Sequence, residues 1–329
     1  MSFNSVRTSI ASAFIQDRIS PISRVAFLLT IALAMMALVI SLLTKLSFVA
    51  LPNIFPLVFG VVVVDGLSQF APQTGIVRAV QAVLYGILYL AITCFCGVLA
   101  AYAMQRLAFP LQDQLFTNVD IALGVKWFDL VHWVDRHPAI QMIFHKAYDS
   151  MGVQIALPVV ILAFANRLGE LRVYLLAFVI ALTVTTIVAA LLPAASPIAL
   201  VDRASFSVMQ FTGATPLDHL VDLRAAGPLL LTSLGGIVAF PSFHASIAVL
   251  TPLVLRRYRR LLIPLLSLDA AMLCGTVTEG AHYVSDVLAG IGVAFGAYLL
   301  ATRIIRAEDR SLHHSRNESI GPQSVAGAA

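Results

Sequence analysis

The sequence predicts an all-α integral membrane protein, a polytopic transmembrane helical bundle of about eight spans (six to eight). Three observations carry that prediction. Of its 329 residues, 59% are hydrophobic and only 12% charged, about half the charged share of an average soluble domain. The mean hydropathy is +0.91. Apolar runs long enough to cross a bilayer recur along the chain, separated by short polar stretches. The net charge of +4 is small for this length, and nothing in its distribution points to nucleic acid. Cys94, Cys96 and Cys274 lie within apolar runs and read as small buried hydrophobes, not as disulfide partners or metal ligands.

Residues 1–23 are polar and acid-poor and hold Arg7 and Arg18. They read as a cytoplasmic tail, with an organelle transit peptide as the alternative. Residues 24–149 group the N-terminal spans with a long loop, residues 150–305 a second bundle, and residues 306–329 a tail without apolar periodicity, expected to be disordered. Spans are expected at about 25–46, 49–65, 82–105, 150–166, 172–194, 242–256, 260–277 and 283–304. The first is too long for the core of a cleaved signal peptide. The loop at 106–149 carries Trp127, His132, Trp133, His137, Phe144, His145 and Tyr148, with Val125, Phe128, Leu130, Val131 and Val134 at helical spacing. An interfacial helix with Trp at headgroup depth fits it, as does a lid. The histidines of this loop read as interfacial.

Arg24, Arg78, Arg167, Arg172, Arg256, Arg257, Arg259, Arg260, Arg303 and Arg306 fall on one alternating set of loops and span ends. The positive-inside rule then puts both termini in the cytoplasm. The loops at 106–149, 195–241 and 278–282 face the other side, and a bacterial inner membrane suits the short loops.

Two polar clusters start spans at that outer face: Phe240-Pro241-Ser242-Phe243-His244 and His282-Tyr283-Val284-Ser285-Asp286. Ionisable groups at membrane depth are costly and by default mark a working site. His282 and Asp286, four apart, share one face of a helix. The carboxylate can then hold one imidazole N–H and leave the other nitrogen free to attack phosphorus or bind a metal. Asp269 lies mid-span without a sequence neighbour to pair with. Gly292 and Gly296 make one small-residue face suited to tight packing.

These motifs, extended as Gly280-Ala281-His282-Tyr283-Val284-Ser285-Asp286-Val287-Leu288-Ala289-Gly290, resemble the type 2 phosphatidic acid phosphatase superfamily. The nearest branch is the one holding inositol phosphorylceramide synthases and their bacterial relatives. The general pattern is Pro-Ser-Gly-His in one motif, Ser-Arg-x5-His-x3-Asp in another, and an upstream Lys-x6-Arg-Pro. Here Phe243 replaces Gly, Gly275-Thr276 replaces Ser-Arg, and no Lys-x6-Arg-Pro occurs. The departures suit the synthase-like branch and leave the phosphoryl oxygens short of cations. Arg224 is the first candidate to supply one and Arg203 the second.

The resemblance implies a six-helix-type core over 150–305 and catalysis without cofactor or metal. It makes His282 the nucleophile that forms a phosphohistidine and Asp286 its orienting partner. His244 becomes the acid that protonates the leaving oxygen and then the base for the acceptor hydroxyl. Ser242, Phe243 and the amides opening that helix become phosphate contacts. The implied partners are a phospholipid donor of an inositol phosphate-like headgroup and a lipid hydroxyl acceptor. A lipid or polyprenyl phosphate phosphatase with the same triad is the alternative. A transporter with a His–Asp proton relay would need inverted repeats, which the sequence lacks.

Overall fold

The computed structural model describes residues 22–48, 74–200, 214–225, 227–231, 236–280 and 282–319, with Val63, Gly66 and Phe206. Eleven α-helices run through them. They are α1 (Arg24–Thr44), α2 (Gly75–Gln105), α3 (Asp113–Ala122), α4 (Trp127–Asp135), α5 (Pro138–Asp149), α6 (Met151–Phe164), α7 (Leu168–Leu191), α8 (Ala214–Arg224), α9 (Phe243–Leu255), α10 (Arg259–Thr278) and α11 (Val284–Ser319). One two-stranded parallel sheet pairs β1 (Leu46–Phe48) with β2 (Leu229–Leu231). The fold is all-α and polytopic. Five helices are long and apolar enough to cross a membrane, and the pair α5–α6, bent by 49°, makes a sixth candidate. The apolar α9 is shorter, at 13 residues. The span expected at 49–65 falls, Val63 apart, outside the described residues, as do the tail at 1–21 and Arg203.

α7 forms the centre. Leu171, Tyr174, Leu175, Leu176, Phe178 and Val179 are all fully buried there, against α1, α2, α9 and α11. Long apolar side chains remain exposed on the outer helices, such as Leu42 and Leu43 on α1, Ile263 on α10 and Leu299 on α11. In a chain so poor in charge, that belt is the surface a bilayer covers. α1 and α2 run parallel, cross-linked by polar groups inside the apolar packing. The Thr30 hydroxyl meets Tyr89 Oη at 3.1 Å and Thr93 Oγ1 at 3.0 Å, and Tyr89 O–H donates to the Ala26 carbonyl at 3.0 Å. Such bonds fix helix register where burial alone discriminates weakly. At their C-terminal ends, Arg106 donates to the carbonyls of Thr44, Leu223, Ala225 and Gly227.

Three expectations change. The sixth candidate span begins near residue 138, well before 150, because Pro138–Phe164 is nearly continuous helix broken only at Ser150. The tail from 306 is not disordered up to Ser319: α11 continues to there, and Arg172 holds its early part through Glu308 (2.8 Å) and Asp309 (2.6 Å). Gly292 and Gly296 have open space beside them, so they are not a packing face. The close approach on α11 is at Gly290, where a Cβ would stand 2.2 Å from the Ser242 carbonyl oxygen.

Candidate active site

His282 follows the end of α10, and Asp286 sits in the first turn of α11. The backbone leaving α10 folds back on itself, so that His282 N–H donates to the Thr276 carbonyl (3.2 Å). Asp286 Oδ2 accepts from His282 Nδ1 at 3.2 Å and from Tyr283 N–H at 3.0 Å. Asp286 is fully buried and His282 is 6% exposed. With Nδ1–H given to the carboxylate, Nε2 keeps its lone pair. The first motif is clamped to the second through backbone: Ser242 N–H donates to the Asp286 carbonyl at 3.0 Å, and Ser246 Oγ donates to the Gly290 carbonyl at 2.9 Å. Both bonds need α9 and α11 in near contact, which the missing side chain at Gly290 permits.

The two histidines then line one cavity of about 350 Å³, along with Tyr148, Phe243 and Gly280. Most of its wall is apolar, from α2, α6, α7 and the segments at 194–196 and 236–239. No Arg or Lys lines it among the described residues. Nor do the described residues hold a group of three or more His, Cys, Asp or Glu placed to bind a metal ion.

Not every expected residue joins this cavity. Ser242 is fully buried as the N-cap of α9, its Oγ accepting from Ala245 N–H at 3.4 Å, and it does not line the space. Phe243 lines it and packs edge-on against Phe178. Arg224 does not line it. Its Nη2 donates to the Phe109 carbonyl, and its buried Nη1 has no partner among the described residues.

The segment at 106–149 is neither a plain interfacial helix nor a free lid. It folds as α3, α4 and α5, and these hold the segment around His282 from the side. Asp120, 3% exposed, accepts from the backbone N–H groups of Val284 (2.8 Å) and Ser285 (2.9 Å), capping α11 from a distant helix. Asp113 accepts from the amides of Ala195 and Ser196 and from Tyr283 O–H at 3.0 Å. Trp127 Nε1–H reaches the Val277 carbonyl at 3.1 Å.

Tyr148 of α5 stacks on His244, ring centroids 4.0 Å apart and planes 13° from parallel. Behind it, buried Glu279 accepts from Gln141 (3.1 and 3.2 Å) and lies 3.2 Å from His145 Nδ1. Burial pushes the Glu279 carboxyl up, with Gln141 and His145 pulling it partly back. His145 is therefore drawn into the site's support and is not simply interfacial. His132 stacks on Phe206 and His137 on Trp133.

A pair of histidines, one held by a buried carboxylate, at the end of an apolar cavity can perform nucleophilic displacement at phosphorus. A sequence model of the PAP2 superfamily matches residues 114–300, more than half of the chain. The chain belongs to the PAP2 superfamily. Comparison with curated proteins and with solved structures gives no match. PAP2 membership supports a lipid phosphatase or phosphotransferase type of function for this membrane-embedded chain. The PAP2 match opens inside α3, so the helices that brace the loop belong to the family region, whereas α1 and α2 precede it.

Proposed function

We propose that this protein moves a phosphate-bearing headgroup from a phospholipid to the hydroxyl of a second lipid through a phosphohistidine on His282. One observation carries the reading: the cavity that both histidines line is mostly apolar and without a lining cation among the described residues. A phosphomonoester is close to doubly charged near neutral pH, whereas a phosphodiester headgroup bears a single negative charge on its phosphate. A cation-poor site suits the diester. An apolar wall likewise suits a lipid alcohol better than water as the second reactant.

In the first step, His282 Nε2 attacks phosphorus and the P–O bond to the diacylglycerol oxygen breaks. Protonated His244 gives its proton to that oxygen, so diacylglycerol leaves neutral. Asp286 Oδ2 holds Nδ1–H and offsets the charge that grows on the imidazole. In the second step, neutral His244 takes the proton of the acceptor hydroxyl. The acceptor oxygen attacks phosphorus, and the P–N bond breaks to restore His282. Amides at the N-terminus of α9 face the phosphoryl oxygens with the positive end of the helix. An inositol phosphate is the headgroup favoured by the motif resemblance. The site faces away from the cytoplasm with both termini inside, as the arginine distribution indicates.

The test uses purified protein in detergent, a headgroup-labelled phospholipid and a long-chain lipid alcohol, with His282→Ala alongside. Labelled acceptor formed by the wild type and lost in the variant supports transfer. Water-soluble phosphate or headgroup phosphate as sole product, also lost in the variant, would replace it with hydrolysis. Equal turnover by both proteins would remove His282 from the chemistry.

A further inference from the structure

The cavity has a wall that lies outside the family-matched segment. Cys94, Gly97, Val98 and Ala101 of α2 all line it, and α2 precedes residue 114, where the PAP2 match begins. Their spacing of three, four and seven residues puts them on one face of the helix. The stripe is apolar and about 10 Å long at the helical rise. Gly97 is where α2 closes on α7: a Cβ there would stand 2.5 Å from Leu182 Cδ2. Leu182 itself lines the same cavity. The result is an apolar groove between two helices, with His244 and His282 on the shared cavity. Its volume of about 350 Å³ falls in the range of ligand pockets, roughly 300–1,000 Å³.

We propose that the α2 stripe is the seat of one hydrocarbon chain of the lipid substrate, making this helix the determinant of chain specificity. The proposal rests on the phosphotransfer reading for the placement of the phosphate at His282. The gradient from two imidazoles to an all-apolar stripe matches an amphiphile of this kind: an anionic ester at one end and alkyl chain at the other. The hydrocarbon leaves water or lipid for a dry, shaped wall, and that burial supplies binding energy remote from the reacting phosphorus.

The first measurement is kcat/KM over a series of phosphodiesters with one alkyl chain lengthened from butyl to hexadecyl. Val98→Trp fills the groove and is expected to lower the hexadecyl-to-butyl ratio by about tenfold or more, since pockets discriminate single methylenes at that level. Val98→Ala widens it and is expected to raise the ratio of kcat/KM for a branched over a straight chain of equal carbon number. An equal drop for every chain length in both variants would make the stripe structural packing and overturn the proposal.

The second measurement needs no turnover. A hexadecyl phosphodiester with a photoreactive diazirine on its chain is bound to His282→Ala protein, irradiated and mapped by mass spectrometry. Adducts within 94–101, competed by the unlabelled ester, support the seat even if the transfer reaction fails. Adducts confined to other segments, or to the outer apolar belt, overturn it even if transfer is confirmed.

Discussion

Tyr148 shows how one side chain can set the orientation of another. Its ring lies flat on His244 at 4.0 Å, and an aromatic stack of this kind contributes about 0.5–1.5 kcal/mol beyond its buried area. Tyr148→Ala is expected to lower kcat by about tenfold with KM little changed, while Tyr148→Phe keeps the stack and most of the activity. A comparable loss in both variants would refute the stacking role. Glu279 makes a second prediction. Its carboxyl is raised from 4.5 mainly by burial, so its stabilising share is complete below that value and declines as pH rises through the raised one. Glu279→Gln does not titrate. The melting temperature of the wild type should therefore fall relative to the variant as pH climbs above about 4.5, and parallel curves would count against it. His244, His282 and Asp286 were legible from sequence because ionisable groups among apolar residues stand out. Tyr148 and Glu279 were not, since a tyrosine in a polar loop gives no sign of a ring some hundred residues away.

At the scale of elements, the contact between α9 and α11 decides whether the two motifs meet. Gly290→Ala would put a methyl 2.2 Å from the Ser242 carbonyl oxygen. Overpacking of that order costs about 1–3 kcal/mol, and the variant should lose activity as the helices part. Gly292→Ala, facing open space, is the matched control and should behave as wild type. Asp120 acts between elements too. Removing its carboxylate leaves the amides of Val284 and Ser285 unpaired, at a cost of about 1–3 kcal/mol for buried donors. Asp120→Ala should thus lower both melting temperature and kcat, measured on the same preparation. Asp113 and Asp120 did leave a signal in the sequence. They lie seven residues apart, on one face of a helix, in a chain with only 17 acidic residues. Two carboxylates so placed in a membrane protein point inward to something they satisfy. The long spans were legible because each is apolar on all sides. The bend at Ser150 was not, since Pro138–Phe164 mixes amphipathic and wholly apolar turns.

Across the whole molecule, the parallel arrangement of α1 and α2 places Lys45 and Thr74 at opposite ends of the bundle. Lys45 shares its end with the site through Arg106 and the β1–β2 pair. A membrane-impermeant thiol reagent should label Lys45→Cys from outside intact cells and Thr74→Cys only after permeabilisation. The reverse pattern would invert the proposed orientation. The acidic helix α3 also has a bearing on how the protein is made. Its bonds to residues 283–285 join positions 164 to 170 apart in the chain. α3 leaves the ribosome well before α11, so Asp120 waits for the amides of Val284 and Ser285, whereas Asp113 meets those of Ala195 and Ser196 sooner. Contacts of such sequence separation form late. Until α11 is made, the carboxylate of Asp120 lacks the two amides it caps, so the ordering of the segment that follows His282 waits on that last-described helix.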